Sequence, residues 1–305
     1  MVTMLYKTNI FGIVGSDNNK EYKQNQVIIW DDFANKILYK ITLNEKVLNL
    51  KLRRDKAFIV CKQKIYILNP YNEYNVSGIL ETGLNPNGLI AINYTEGNNI
   101  IVYPSSDENK EKGELTIKNL DNNDVKYHSP HNHKVAYISL SYNGLLLATA
   151  SEDGKKIRIF ETENLEKLQE LNRGKEKAEI KYISIDFKNQ FLAASSERGT
   201  IHIWSLSQSL DKLKKSGKLK LNEGTNNEKI SNAGSVFAGL PTFLGGGFFD
   251  NEWSFAQVRL DEPYSIFHFG LDNSLIIITS SGKYYKAKID LKKGGDCQIL
   301  EECCL

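Results

Sequence analysis

Cysteine is scarce in this chain of 305 residues. Cys61, Cys297, Cys303 and Cys304 are the four it has, at spacings that fit neither a zinc site nor a disulfide framework, which points to a reducing compartment such as the cytoplasm. The terminal Glu-Cys-Cys-Leu places no cysteine fourth from the end, so prenylation by the usual rule is excluded, while acylation of Cys303 or Cys304 stays open. An excess of one charge is also missing: 39 Lys and Arg stand against 37 Asp and Glu, for a net charge of +2. Bulk attraction to nucleic acid or another polyanion is thereby excluded, and any phosphate site must be local. No apolar run approaches the ~18 residues of a membrane span, and the start MVTMLYKTNI lacks the layout of a secretory signal. There is no phosphate-binding P-loop, no Gly-X-Ser-X-Gly and no His-Glu-X-X-His, and the neighbouring His128, His131 and His133 have no acidic or Cys partner at metal-ligand spacing. The expectation is a protein with no catalytic residues, no metal and no cofactor.

What is present is repetition. The hydrophobic fraction of 41% and charged fraction of 25% are ordinary for a globular chain. LLLATASEDGKKIRIF (residues 145–160) and FLAASSERGTIHIWSL (residues 191–206) each read as an apolar run, a turn with glycine, and a second run rich in Ile and aromatics. That is the signal of a β-hairpin. At an offset of 45 residues Tyr137-Ile138-Ser139 falls on Tyr182-Ile183-Ser184, and Gly154 falls on Gly199. A repeat near this period, built of short strands without helix, predicts an all-β propeller of WD type. Leu171-Asn172-Arg173-Gly174 lies between the hairpins and is not required for a blade to fold, so it is the first place to look for function.

The run from ATASEDGKKIRIF through LQELNRG, FLAASSERGTIHIWSL and EWSFAQVRL resembles the core of the PROPPIN family, and LYKTNIFGIVGSD, QVIIWDD and VLNLKLRRDKAFIVCKQKIYILN resemble its shorter, LRRG-type branch. The resemblance implies a seven-bladed WD40-type propeller that binds phosphoinositides and acts in autophagy. The family signature at Leu171–Gly174 has two arginines, and here Asn172 replaces the first.

The strand pattern yields six blades, at roughly 1–45, 46–81, 82–130, 131–172, 173–260 and 261–305, in a single domain over 1–305. The chain begins where the family's second blade would, so the expectation is a six-bladed arrangement with the first blade missing; a true six-bladed closure is the alternative. An open arrangement leaves apolar faces without partners.

Arg173 is the leading candidate, because a guanidinium presents a planar fork of donors to two phosphate oxygens and keeps its charge. By the family pattern it serves a phosphoinositide pocket on the 191–206 hairpin, with Ser195, Ser196 and Thr200 as hydroxyl donors, Gly199 for close backbone approach, and His202 as a ring donor. Taken alone, Ser-Ser-Glu-Arg-Gly-Thr is also an ordinary hairpin turn. The neighbouring pocket reads as degraded: Ser151 remains, but Lys155 stands in place of Thr and Asn172 in place of Arg.

Residues 207–250 form a long insertion. Its first part carries Lys212, Lys214 and Lys215, which attract an anionic leaflet. Its later part carries Phe243, Leu244, Phe248 and Phe249, apolar groups for the headgroup boundary; a solvated loop is the competing reading. The resemblance implies a membrane-recruited adaptor for phosphatidylinositol 3-phosphate or phosphatidylinositol 3,5-bisphosphate in autophagosome formation. It would sit peripherally on autophagosomal, endosomal or vacuolar-type membranes, with an autophagy lipid-transfer protein or another autophagy factor as partner near Asn18 to Lys23. The alternative is a WD-repeat scaffold with reduced or lost lipid binding.

Overall fold

Short runs, mostly of four to seven residues, dominated by Ile, Val, Leu and aromatics and separated by Asn, Asp, Gly and Ser turns, assemble into six mainly antiparallel sheets. In the computed structural model the described residues are 1–19, 21–106, 113–219, 230, 232, 252–262 and 264–304. Blade one contains β1 (Val2–Met4), β2 (Ile10–Val14), β3 (Gln26–Asp31) and β4 (Lys36–Thr42). Blade two contains β5 (Asn49–Leu52), β6 (Ala57–Val60), β7 (Lys64–Asn69) and β8 (Asn75–Glu81). Blade three contains β9 (Ala91–Ile92), β10 (Ile100–Pro104), β11 (Leu115–Asn119) and β12 (Val125–His128). Blade four has β13 (Val135–Leu140), β14 (Leu146–Ser151), β15 (Lys156–Glu161) and β16 (Lys167–Asn172). Blade five has β17 (Ile180–Ile185), β18 (Phe191–Ser196) and β19 (Thr200–Ser205), after which come the helix α1 (Ser207–Lys215), β20 (Glu252–Trp253) and β21 (Ala256–Arg259). Blade six has β22 (Ser265–Phe269), β23 (Ser274–Thr279) and β24 (Lys283–Lys288); beyond them lie β25 (Gly295–Asp296) and β26 (Gln298–Cys304). The result is a six-bladed β-propeller arrangement.

Three details depart from a plain repeat of four-stranded blades. The first strand of blade three is confined to Ala91–Ile92, because Gly88 takes a left-handed turn and Asn93 turns its side chain to the backbone of Asn98. The stretch Trp253–Leu260 is not one strand. Glu252–Trp253 instead pairs in parallel with the outer edge of blade four, Leu171 opposite Glu252, before the chain crosses to blade five as β21. Gly295–Asp296, assigned to the last blade by the pattern, pairs with β21 of blade five.

The core lies between blades. Five apolar clusters join successive sheets, for example Leu146, Ile157 and Ile159 of blade four with Ile183, Leu192 and Trp204 of blade five. Each fully buried Leu, Ile or Phe contributes roughly 1.5–3 kcal/mol. Among the described residues no cluster joins blade six to blade one. The outward face of blade six exposes Ile266, Ile276 and Ile278, and Val2 and Met4 of blade one are exposed as well.

Strand β23 provides an internal control. Ile277 is 0% exposed against blade five, whereas Ile276 and Ile278 are each 37% exposed. Ile277→Ala should cost about 2–5 kcal/mol in urea unfolding, the range for buried Ile→Ala. Ile278→Ser should cost less than about 1 kcal/mol. Equal losses would mean that the outer face of blade six is packed in solution.

Candidate functional site

The step from blade four to blade five builds a cleft. At the end of β16, Asn172 is still inside the sheet, opposite Lys156 of β15 and Trp253 of β20, and is nearly buried. Arg173 leaves the strand, and its backbone N–H donates to Lys155 O at 2.8 Å. Its guanidinium donates from Nε to Gly154 O at 2.8 Å and from Nη2 to Glu176 O. Gly154 has a φ of +58°, and a Cβ there would sit 1.7 Å from Ala178 O, so the turn accepts glycine alone. The turn of the β14–β15 hairpin thus holds Arg173 from below.

A cavity of about 380 Å3 lies above it, lined by Arg173, Gly174, Lys175, Glu176, Ser196, Arg198, Thr200 and His202. The structure therefore brings together four of the residues singled out from sequence, Arg173, Ser196, Thr200 and His202. It excludes Ser195, which points the other way and donates from Oγ to Ser265 O at 3.3 Å, because successive side chains of β18 alternate between faces. Gly199 does not line the cavity either. With φ at +81° it makes the β18–β19 turn, where a Cβ would meet Leu260 O at 2.5 Å. Sequence reasoning missed Lys175 and Arg198, although a cation on each side of the Arg-Gly and Ser-X-X-Gly turns was the available signal. Ser151, Lys155 and Asn172 do not line this cavity.

Three cations, Arg173, Lys175 and Arg198, face one lining carboxylate, Glu176, which pairs with Arg198 at 2.6 Å. Burial and the nearby Arg198 charge press the Arg173 guanidinium toward lower pKa, yet arginine stays charged. His202 is pushed down to about 4 by burial first and then by the Arg173 and Arg259 charges. It is neutral at pH 7, with Nδ1 3.1 Å from Ser254 Oγ. The cleft therefore has neutral donors and fixed cations converging on one volume, the chemistry of an oxyanion site.

The insertion begins as α1, seated by the buried Ser209 and Leu213. Lys212 donates to Leu168 O at 2.6 Å, and Lys218 pairs with Glu161 and Glu163, so these two are tied to blade four. Lys214 and Lys215 are exposed on the helix. Phe243, Leu244, Phe248 and Phe249 lie outside the described residues. Among those residues no helix is long and apolar enough to cross a membrane.

Fold and cleft define a WD-type propeller with a cation-lined cavity at the junction of two blades. The chain belongs to the PROPPIN family, whose model it matches over residues 13–305. It is 32% identical over 300 residues to autophagy-related protein 18e of Arabidopsis thaliana, covering 98% of this chain and 74% of that protein. To autophagy-related protein 18 of Schizosaccharomyces pombe it is 25% identical over 335 residues, covering 100% and 87%. Among solved structures it superimposes on Kluyveromyces lactis Hsv2 with a TM-score of 0.73 at 19% identity, over 100% of this chain and 86% of that one. The complex of KlAtg21 with the coiled coil of AgAtg16 gives 0.73 at 18% identity, over 100% and 84%.

Two histidines make stability pH-dependent. His131, 5% exposed and bonded to Thr149 Oγ1 at 2.9 Å, is also pushed down to about 4, by burial first and then by Arg158. The unfolded chain takes up these protons near the ordinary 6.5. Between 6.5 and about 4 it therefore holds more protons than the folded chain, and stability falls as pH falls through that window. Unfolding free energies from urea titrations at pH 7 and pH 4.5 should differ by on the order of 2–4 kcal/mol for the two rings together. His131→Gln should reduce the difference, and a midpoint unchanged across the window would mean that both rings are charged when folded.

Proposed function

We propose that the chain is a phosphoinositide-binding, membrane-recruited adaptor of autophagosome formation or related organelle traffic, and not an enzyme. The observation that carries this reading is the convergence of Arg173, Arg198, Lys175, Thr200 and neutral His202 on one cavity of about 380 Å3. Family membership and relatives named autophagy-related protein 18 support the autophagy setting. The headgroup proposed is phosphatidylinositol 3-phosphate or 3,5-bisphosphate, held at autophagosomal, endosomal or vacuolar-type membranes. A solved neighbour, the complex of KlAtg21 with the coiled coil of AgAtg16, supports autophagy factors as protein partners; an autophagy lipid-transfer protein is proposed beside them. One lipid site per chain is proposed, since Asn172 is built into the sheet and Lys155 supplies backbone carbonyl rather than a charged fork. A second reading, a WD-repeat scaffold with weak lipid binding, is favoured by the two Arg173 donors already spent on Gly154 and Glu176 carbonyls.

Arg173→Ala should weaken binding to liposomes containing either phosphoinositide at least tenfold, about 1.4 kcal/mol. Unaltered flotation of the folded variant would favour the scaffold. Calorimetry with a soluble inositol phosphate should give a stoichiometry near one, rising toward two for Asn172→Arg with Lys155→Thr; two sites in the unmodified chain would refute the single-site reading.

The helix α1 separates its lysines by role. Lysines near an anionic leaflet contribute roughly 1 kcal/mol each, so Lys214→Ala with Lys215→Ala should lower liposome affinity roughly ten- to thirtyfold at low salt. Lys212→Ala should change it little, being bound to Leu168 O. Equal losses from all three would place the whole helix face at the membrane.

A further inference from the structure

A second cavity, of about 260 Å3, lies between blades three and four. It is smaller than the usual small-molecule pocket of roughly 300–1,000 Å3 and has the size for one side chain. Its walls are aliphatic, from Ile100, Ile117 and Leu145. Its polar lining includes three carboxylates, Asp124, Glu161 and Glu163, against the single cation Lys126. Lys126 is itself engaged, 3.4 Å from Asp124 and donating to Glu163 O at 2.7 Å. Thr162 also lines the cavity: it is 2% exposed, and its hydroxyl has no hydrogen-bond partner among the described residues. A buried hydroxyl in that condition is unusual, since most find a partner.

The chain itself illustrates what these carboxylates accept. Lys218, three residues beyond α1, brings its ammonium to the buried Glu161 and to the exposed Glu163, the latter at 2.5 Å. We infer that this cavity is a docking site for one basic side chain, arginine or lysine, of a partner polypeptide. The methylene stem lies along Ile100, Ile117 and Leu145, the cationic head meets Glu163 and Asp124, and the Thr162 hydroxyl accepts one of its N–H groups. A metal ion is a poorer occupant, since no cluster of metal-ligating side chains occurs among the described residues. The partner's cation competes with Lys218 for Glu163. Docking therefore acts on the stem of the 207–250 insertion and couples partner binding to the segment that carries Lys214 and Lys215.

The test uses the full chain and two probes: N-acetyl-arginine methylamide and the corresponding blocked citrulline, which keeps the shape and loses the charge. Backbone amide signals are followed by NMR during each titration. Blocked arginine should shift Leu145, Thr162 and Glu163, and blocked citrulline should not. Glu163→Gln and Thr162→Val should each weaken the arginine response, whereas Lys218→Met should strengthen it about tenfold by removing the competitor. Arg173→Ala should leave it unchanged, which separates this site from the phosphoinositide cleft. The proposal is overturned if neither the unmodified chain nor Lys218→Met responds at these residues, if citrulline acts equally, or if Lys218→Met binds arginine more weakly. Should Lys218→Met fail to fold, Glu163→Gln at the exposed rim and Thr162→Val at the buried wall decide the matter: an undiminished arginine response in both also overturns it.

Discussion

A sheet with apolar side chains on both faces is stable only between two other surfaces, and this constraint organises the whole molecule. The middle strands Ala57–Val60, Leu146–Ser151 and Phe191–Ser196 are buried along their entire length because a neighbouring blade covers each face. Strand β23 has the same place in its sheet and an equally aliphatic sequence, Ser-Leu-Ile-Ile-Ile-Thr, yet its burial alternates. What differs is the neighbour: blade five covers one face, and no core cluster covers the other among the described residues. Periodicity of exposure thus reports the surroundings of a strand as much as its composition.

Radial stacking also decides where polar groups must be solved with care. The insertion leaves blade five, but its two ends are fastened to blade four by a buried network. Gln169 Nε2 donates to Glu252 Oε2 at 2.7 Å and to Ser205 O at 3.0 Å, and its Oε1 accepts from Ser209 Oγ at 2.7 Å. Asn232 donates to the same Glu252 oxygen and accepts from Ser205 N at 2.7 Å. These groups are nearly all buried, so each bond satisfies a group that would otherwise cost roughly 1–3 kcal/mol. The parallel strand β20 on the edge of blade four extends the same clamp. Whatever the insertion does, it does from a base that bridges two blades.

The repeat was the most legible feature of the sequence. Tyr137 and Tyr182, matched at a 45-residue offset, lie with ring centres 5.7 Å apart and planes tilted by 57° on β13 and β17, and Gly154 and Gly199 both take left-handed turns. Arg173 stood out because a strand does not require an Arg-Gly at its end, and Ser195, Ser196, Thr200 and His202 joined it by the family pattern. Alternation along β18 separates Ser195 from the other three, since one position reverses the face. The crossing of Glu252–Trp253 to blade four was not legible, since a parallel pairing with a distant edge leaves no local signature in a two-residue strand. Nor was the role of Gln169, an outer-strand residue whose partners lie up to 83 positions away.

The altered signature Asn172-Arg173 gains a physical meaning from the backbone around it. A free arginine must surrender considerable rotamer freedom to clamp a phosphate, which subtracts from affinity. Here Nε and Nη2 are already oriented by the carbonyls of Gly154 and Glu176, and the Arg173 backbone is fixed by Lys155 O. Two of five donor hydrogens are thereby spent, but the remaining edge of the guanidinium is held in place before any ligand arrives. The first hairpin, without its arginine, thus contributes carbonyls where a binding hairpin would contribute a cation. Its turn braces the neighbouring cavity: the β14–β15 hairpin supplies the carbonyls that hold Arg173, and the β18–β19 hairpin supplies Ser196, Arg198, Thr200 and His202 to the wall.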